Sequence, residues 1–121
     1  MKTTPQQDLL TTPSLAHSVA ECCAVTWDQM VGTSRVARHS TPRKILAYLI
    51  RKRTSLTLQD IGDMLGGRDH STVLYWVRAI GRDREISPVM SNLIDTIEAR
   101  ASDIAQTSNE DSAQPNGSSQ A

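Results

Sequence analysis

Four consecutive polar residues, Asp69-His70-Ser71-Thr72, carry groups that can recognise DNA bases. A carboxylate accepts a hydrogen bond from a cytosine amino group, an imidazole can bond a purine edge, and hydroxyls suit bases or phosphates. The apolar Val73 follows at once, so a helix anchored there would turn the polar residues outward. Simpler roles stay open, since Asp69 also suits a helix N-cap and His70 a surface position.

Catalytic and metal chemistry find little support in the sequence. His17, His39 and His70 fall on separate predicted elements, so no grouping of nucleophile, base and acid can be argued. Cys22 and Cys23 are adjacent and lack the C-x₂-C spacing of a zinc site. Two neighbouring cysteines do not easily form a relaxed disulfide, which favours half-buried free thiols in a reducing cytoplasm. We expect no enzyme activity, no metal and no cofactor.

The charge is distributed unevenly along the chain. Thirteen basic and thirteen acidic residues give a formal net charge of zero over 121 residues. Residues 34–84, however, contain eleven basic and four acidic residues, which is a formal charge of +7. The basic ones are Arg35, Arg38, Arg43, Lys44, Arg51, Lys52, Arg53, Arg68, Arg78, Arg82 and Arg84. A basic segment between acidic flanks is typical of a nucleic-acid binder.

Apolar periodicity predicts an all-α fold, a helical bundle that contains a helix-turn-helix. The predicted helices span 12–24, 26–31, 41–53, 57–65, 69–80 and 87–104, with a polar, basic loop at 33–40. Thr-Pro pairs predict helix starts at 12 and 41, and Asp60 completes a capping pattern with Thr57. Gly66-Gly67 ends the fourth helix, and Asp69 caps the fifth. Trp76 is predicted to lie in the core.

The ends of the chain differ in composition from its middle. Residues 1–11 are polar and predicted to be disordered, residues 12–104 form the predicted domain, and residues 105–121 form a predicted disordered tail. No signal peptide is recognised at the N-terminus. No stretch approaches the run of about 20 apolar residues that spans a membrane, so no membrane association is expected.

The run IGDMLGGRDHSTVLYWVRAI closely resembles the C-terminal DNA-binding domain of the bacterial replication initiator DnaA. That family carries a signature close to G-G-R-D-H-[ST]-T-V. The likeness continues without gaps through the basic loop and the Pro42-Arg43 helix start, and covers roughly residues 14–100. It implies a helical fold similar to Trp repressor and DnaA domains, with double-stranded DNA as the partner.

The resemblance also implies roles for single residues. In the family, the signature residues read the CACA side of a nine-base box in the major groove, and the basic loop inserts an arginine into the minor groove. The implied base contacts are Asp69, His70 and Ser71, with Arg35 in the minor groove. The implied phosphate contacts are Arg43, Lys44, Arg51 and Thr72. The chain departs from the family at Thr41, Gln59 and Tyr75-Trp76, which puts affinity in question more than sequence preference.

The sequence contains no G-x-x-x-x-G-K-[ST] phosphate loop. We therefore expect a cytoplasmic, nucleoid-associated protein that binds sites like the DnaA box and regulates replication initiation, or transcription, without ATPase activity. One alternative is a regulator that uses the same module on a different site. Another is an adaptor that contacts the replication initiator or its regulatory proteins through the acidic flanks and last helix, with weak or no DNA binding. The sequence indicates neither an oligomeric state nor whether the protein activates or represses initiation.

Overall fold

The computed structural model describes residues 11–33 and 36–113, with side chains as far as Ala105. Within these ranges the chain forms helices and no strand, which confirms the predicted all-α fold. The helices are α1 (Thr12–Cys23), α2 (Trp27–Val31), α3 (Ala37–Arg53), α4 (Leu58–Met64), α5 (His70–Ile86) and α6 (Pro88–Ala113).

Helix α3 lies at the centre of the bundle, packed between α1 on one side and α5 on the other. Its side chains Leu46 and Ile50 are fully buried, and α6 closes the core by packing along α1. The buried Ser18 of α1 donates a hydrogen bond of 2.6 Å to the Ile97 carbonyl of α6, which satisfies a hydroxyl that burial would otherwise destabilise. This core fixes the positions from which α4 and α5 project.

Three helices begin with a threonine capping box. Thr11, Thr26 and Thr57 each accept a hydrogen bond from the third helical amide and donate their own amide to the side chain of that residue. Such caps contribute about 1 kcal/mol each. The predicted pair of Thr57 and Asp60 is confirmed, whereas the first helix is capped by Thr11, one residue earlier than predicted.

Helix α3 starts earlier than the sequence predicted. It begins at Ala37, with Val36 as N-cap, and Pro42 lies inside it. The Val36 carbonyl accepts hydrogen bonds of 2.9 Å from the amides of residues 39 and 40, so a helical turn forms before the proline. Proline costs one internal hydrogen bond, but Pro42 is buried on the core side of the helix. Arg38, which was predicted to lie in a loop, therefore lies in the first turn of α3.

Two other helices run past their predicted ends. Helix α5 continues to Ile86 instead of Ile80, and α6 continues to Ala113 instead of Ile104. The regular apolar pattern stops near Ala105, but no proline or glycine interrupts the chain before Pro115. Segments 1–10 and 114–121, which were predicted to be disordered, lie outside the described residues.

Gly66 and Gly67, in the turn after α4, provide a test of how closely that turn packs. Both have a positive φ, +88° and +75°, but only at Gly66 would an added Cβ overlap another group, the Val31 carbonyl. We expect Gly66→Ala to lower the free energy of unfolding by about 1.5 kcal/mol more than Gly67→Ala, because both add left-handed strain and only one adds overpacking. Urea denaturation of the two variants measures the difference. Equal losses would contradict close packing on α2.

Candidate nucleic-acid interface

Helices α4 and α5 are joined by a turn that packs tightly against α4. The Arg68 amide donates a hydrogen bond of 2.8 Å to the Gly62 carbonyl. A Cβ on Gly62 would overlap the Arg68 carbonyl oxygen, so only glycine allows the turn to approach this closely. Two helices joined by a short, glycine-containing turn form a helix-turn-helix, and in DNA-binding proteins of this type the second helix reads the major groove. The start of α5 is therefore the candidate reading element.

Asp69 caps α5, as the sequence predicted. Its Oδ2 accepts a hydrogen bond of 3.0 Å from the Ser71 amide and a second one from the Ser71 hydroxyl. Its Oδ1 lies 3.7 Å from Nδ1 of His70. The Ser71 hydrogen bonds, with a smaller contribution from His70, lower the pKa of Asp69 below its usual value. The carboxylate is therefore ionised near neutral pH and can still accept a hydrogen bond from a partner.

The predicted reading residues lie together at the exposed start of α5. The side chains of Asp69 and His70 are each 61% exposed, and Ser71 is exposed as well. Thr72 is half-buried, and Val73 beneath it is fully buried. The arrangement presents a carboxylate, an imidazole and a hydroxyl to the solvent from a rigid helix end, which is a geometry suited to hydrogen bonding with base edges.

Arg43, predicted to contact a phosphate, is buried instead. It is 4% exposed, and its Nε donates to the Met30 carbonyl while Nη2 donates to the carbonyls of Gln29 at 3.5 Å and Gly32 at 3.1 Å. Burial, and to a lesser extent nearby Arg68, lower the pKa of this guanidinium. Its charge balances the negative end of α2 and the carbonyls left unpaired there. The side chain therefore stabilises the domain by joining α3 to the end of α2.

Arg68, in the turn between α4 and α5, shares this task. Its Nη1 donates to the carbonyls of Val31 at 2.9 Å and Leu65 at 3.0 Å, and Nη2 donates to Gly32. Its guanidinium also lies 6.0 Å from the centre of the Trp76 ring, and Trp76 is buried, as predicted. One arginine thus ties the end of α2 to the turn before α5.

The predicted minor-groove residue, Arg35, lies outside the described residues. The structure does define where its segment starts, because Arg43 and Arg68 both bind the Gly32 carbonyl. It also defines where the segment ends, at Val36, the N-cap of α3. The end of α2 is therefore anchored on the same turn that positions α5.

Lys44 and Arg51, two predicted phosphate contacts, lie seven residues apart on α3 and therefore on one face of it. Lys44 is half-buried, and the exposed Arg51 donates a hydrogen bond of 3.1 Å to the Leu56 carbonyl. In the described part of the chain neither has an acidic partner. Lys52 and Arg53, by contrast, both pair with Glu98 of α6, at 3.6 and 2.7 Å. On α3, the two cations near α6 are therefore neutralised by Glu98, whereas Lys44 and Arg51 keep charges that are available to bind a phosphate.

The histidines and cysteines do not assemble into a second site. No group of residues suited to a metal ion occurs among the described residues. His17, 58% exposed, pairs with Glu21 at 3.0 Å on α1, far along the chain from His70. Cys22 and Cys23 are free and partly buried, as predicted. None of the helices within the described residues is sufficiently long and apolar to span a bilayer.

An open, mostly apolar groove of about 460 Å³ lies beside α1 and the start of α2. It is lined by Ala16, His17, Ala20, Glu21, Val25 and Trp27. Trp27, 41% exposed, is the largest side chain of the groove. None of the predicted DNA-contacting residues lines it. The prediction that the chain contacts another protein stays a prediction.

Comparison with known proteins gives one consistent result. A family model described as the bacterial dnaA protein helix-turn-helix matches residues 14–80. The chromosomal replication initiator protein DnaA of Lachnoclostridium phytofermentans is 39% identical over 79 residues, which are 65% of this chain and 17% of that protein. The one from Picosynechococcus sp. is 39% identical over 82 residues, 64% of this chain and 18% of the relative. The one from Herminiimonas arsenicoxydans is 33% identical over 93 residues, which are 77% of this chain and 20% of that protein. The chain spans about a fifth of the length of these relatives.

Proposed function

Because the chain belongs to the bacterial DnaA helix-turn-helix family, we propose that it binds double-stranded DNA at sites like the DnaA box and regulates replication initiation, or transcription, without ATPase activity. The observation that carries the proposal is the exposed start of α5, where Asp69, His70 and Ser71 stand above the buried Val73. A helix anchored from below can enter a major groove while its first turn meets base edges. In the cell we place the protein in the cytoplasm, at the nucleoid.

In the proposed complex His70 bonds a purine edge, and Asp69 accepts from a cytosine amino group with the lone pairs that Ser71 leaves open. The Ser71 hydroxyl donates to Asp69 and accepts from a base amino group. These contacts discriminate between sequences, because each base pair presents a different pattern of donors and acceptors in the major groove. Arg35 reads the adjacent minor groove, which is narrower and attracts cations in A·T-rich sequence.

Lys44, Arg51 and Thr72 position the duplex through its phosphates. Lys44 and Arg51 have no acidic partner in the described part of the chain, so binding DNA does not require an ion pair to break first. Arg43 is excluded from this set because it is buried. The chain is thus proposed to use few, well-placed cations, although the formal net charge of its 121 residues is zero.

A titration of the purified chain with a DnaA-box duplex and a scrambled duplex tests the proposal. With Arg35, Lys44 and Arg51 near phosphates, we expect the logarithm of the binding constant to fall with the logarithm of salt concentration with a slope of roughly −3. Lys44→Ala should weaken binding to both duplexes alike and reduce the slope by about 1. Fluorescence anisotropy at several salt concentrations measures both.

Lys52→Ala is the matched control, because Lys52 lies on the same helix and pairs with Glu98. We expect its slope to equal that of the parent chain. Equal affinity of the parent for the box and the scrambled duplex would contradict sequence-specific binding. Equal effects of the two lysine substitutions would contradict the assignment of Lys44 to the phosphate contacts.

A further inference from the structure

One stripe of α5 points directly away from the core and, after Ser71, carries side chains that the family signature does not include. Val73, Trp76 and Ile80 form the buried face of α5. Ser71, Tyr75, Arg78 and Arg82 are spaced by four, three and four residues, so they share one face of the helix, opposite the buried one. All four are exposed, and Tyr75 is 64% exposed.

We propose that DNA recognition continues along this stripe: the ring of Tyr75 contacts the 5-methyl group of a thymine in the major groove, and Arg78 and Arg82 contact backbone phosphates beyond it. This inference rests on the proposed DNA binding and adds a specificity-determining residue to it. Apolar contact with the thymine methyl is one of the ways in which a major groove is read.

The dimensions of a helix and of the groove assign a different partner to each residue. A helix rises about 1.5 Å per residue, so Tyr75 lies about 6 Å from Ser71 along the axis, Arg78 about 10 Å and Arg82 about 16 Å. The major groove of B-DNA is about 12 Å wide. With Ser71 at the base edges, Tyr75 is still well within the groove, Arg78 approaches its phosphate-lined edge, and Arg82 lies beyond that edge.

The charges on α5 also favour this side. In the part of the chain whose side chains the structure describes, Arg78 and Arg82 have no acidic partner. Arg84, two residues on and turned towards α6, pairs with Asp95 at 2.6 Å and bonds the Tyr48 hydroxyl. The exposed ring of Tyr75 thus lies between the Ser71 hydroxyl and two unpaired guanidinium groups. Such a surface suits DNA, which has phosphates along its backbone and thymine methyl groups in its major groove.

Replacing single thymines of the box duplex with deoxyuridine tests the tyrosine, because deoxyuridine lacks only the 5-methyl group. At one thymine we expect deoxyuridine to weaken binding of the parent chain about fourfold, the factor that corresponds to burying one methyl group. Tyr75→Ala should bind the thymine duplex more weakly and lose this fourfold difference. Tyr75→Phe should keep it, because the ring and not the hydroxyl makes the contact. Val89→Ala, at an apolar side chain that is 79% exposed on α6, is the control.

The arginines are tested by the salt dependence of binding. With these two phosphate contacts added, the parent chain is expected to show a slope of roughly −5 instead of the roughly −3 that Arg35, Lys44 and Arg51 alone would give. Arg78→Ala and Arg82→Ala should each reduce the slope by about 1 and weaken binding to box and scrambled duplexes alike. Arg100→Ala, which removes an exposed arginine paired with Glu21, should leave the slope unchanged. Unchanged slopes in the Arg78 and Arg82 variants would overturn the phosphate contacts.

The outcomes separate this inference from the function on which it rests. A parent chain that does not prefer the box overturns both. A parent chain that prefers the box, with deoxyuridine penalties that are the same in Tyr75→Ala, overturns only the thymine contact. A Tyr75→Phe chain that has lost the penalty as fully as Tyr75→Ala overturns the role of the ring.

Discussion

Replacing Arg43 with alanine is expected to lower the free energy of unfolding by about 4 kcal/mol, a large part of the 5–15 kcal/mol of a typical domain. The substitution removes charged hydrogen bonds to the carbonyls of Gln29, Met30 and Gly32, each worth about 1.5–3 kcal/mol, and leaves these groups poorly satisfied. Urea denaturation followed by circular dichroism measures the loss.

Lys44→Ala is the matched control for this prediction, since it removes a cation from the next position of α3. We expect it to change the free energy of unfolding by less than about 0.5 kcal/mol, as is usual for substitutions away from buried networks. Arg43→Lys should recover only part of the loss, because an ammonium cannot reproduce the planar fork that reaches several carbonyls. A stable Arg43→Ala chain with a reduced salt slope of DNA binding would instead favour the phosphate contact that the sequence predicted.

The different positions of Arg43 and Lys44 show where a family resemblance misled and where the pattern itself was informative. Arg43 precedes Leu46, Ala47 and Ile50 by three, four and seven residues, so it lies on the same helix face as these fully buried side chains. Lys44 is turned by 100° from that face. The periodicity therefore contained the signal for a buried arginine, whereas the phosphate contact was implied by the family resemblance alone.

Local signals predicted the start of α5 well. The glycines of the turn, the cap residue Asp69 and the apolar positions Val73 and Trp76 all lie within eleven consecutive residues, so a short stretch of sequence contains these signals. The role of Arg68 could not be predicted in this way. Its partners Val31 and Gly32 are more than thirty residues away in the sequence, and only the packing of α2 against the turn brings them together.

The limits of the helices followed a different logic. Pro42 indicated a helix start because the first turn tolerates a residue without an amide donor. The structure instead begins α3 at Ala37, where the Val36 carbonyl accepts the first amides and burial of the proline offsets its missing hydrogen bond. At the end of α6 the apolar pattern stops before the helix does. The apolar pattern of a sequence indicates which helix face is buried. Where a helix continues beyond its buried part, as α6 does, that pattern cannot predict the end of the helix.

The largest effect on sequence preference is expected from His70→Ala. Loss of a side chain that bonds a base edge should weaken binding to the DnaA-box duplex by about 2 kcal/mol, close to thirtyfold, and leave binding to a scrambled duplex nearly unchanged. The fold should tolerate the change, because the side chain is 61% exposed and Asp69 retains its cap bonds to Ser71. Anisotropy titrations of both duplexes at one salt concentration give the ratio of specific to non-specific binding.

His17→Ala is the matched control, since His17 is comparably exposed on α1 and pairs only with Glu21. We expect it to leave the ratio of specific to non-specific binding unchanged.

The imidazole of His70 lies next to a carboxylate whose pKa is lowered, so the pair presents a donor and an acceptor side by side at the helix start. A base pair that offers the complementary acceptor and donor satisfies both groups, and a mismatched one leaves a desolvated group unpaired. If His70→Ala weakens binding to both duplexes equally, the imidazole contributes affinity without reading sequence, and specificity must come from Asp69, Ser71 and the segment that carries Arg35.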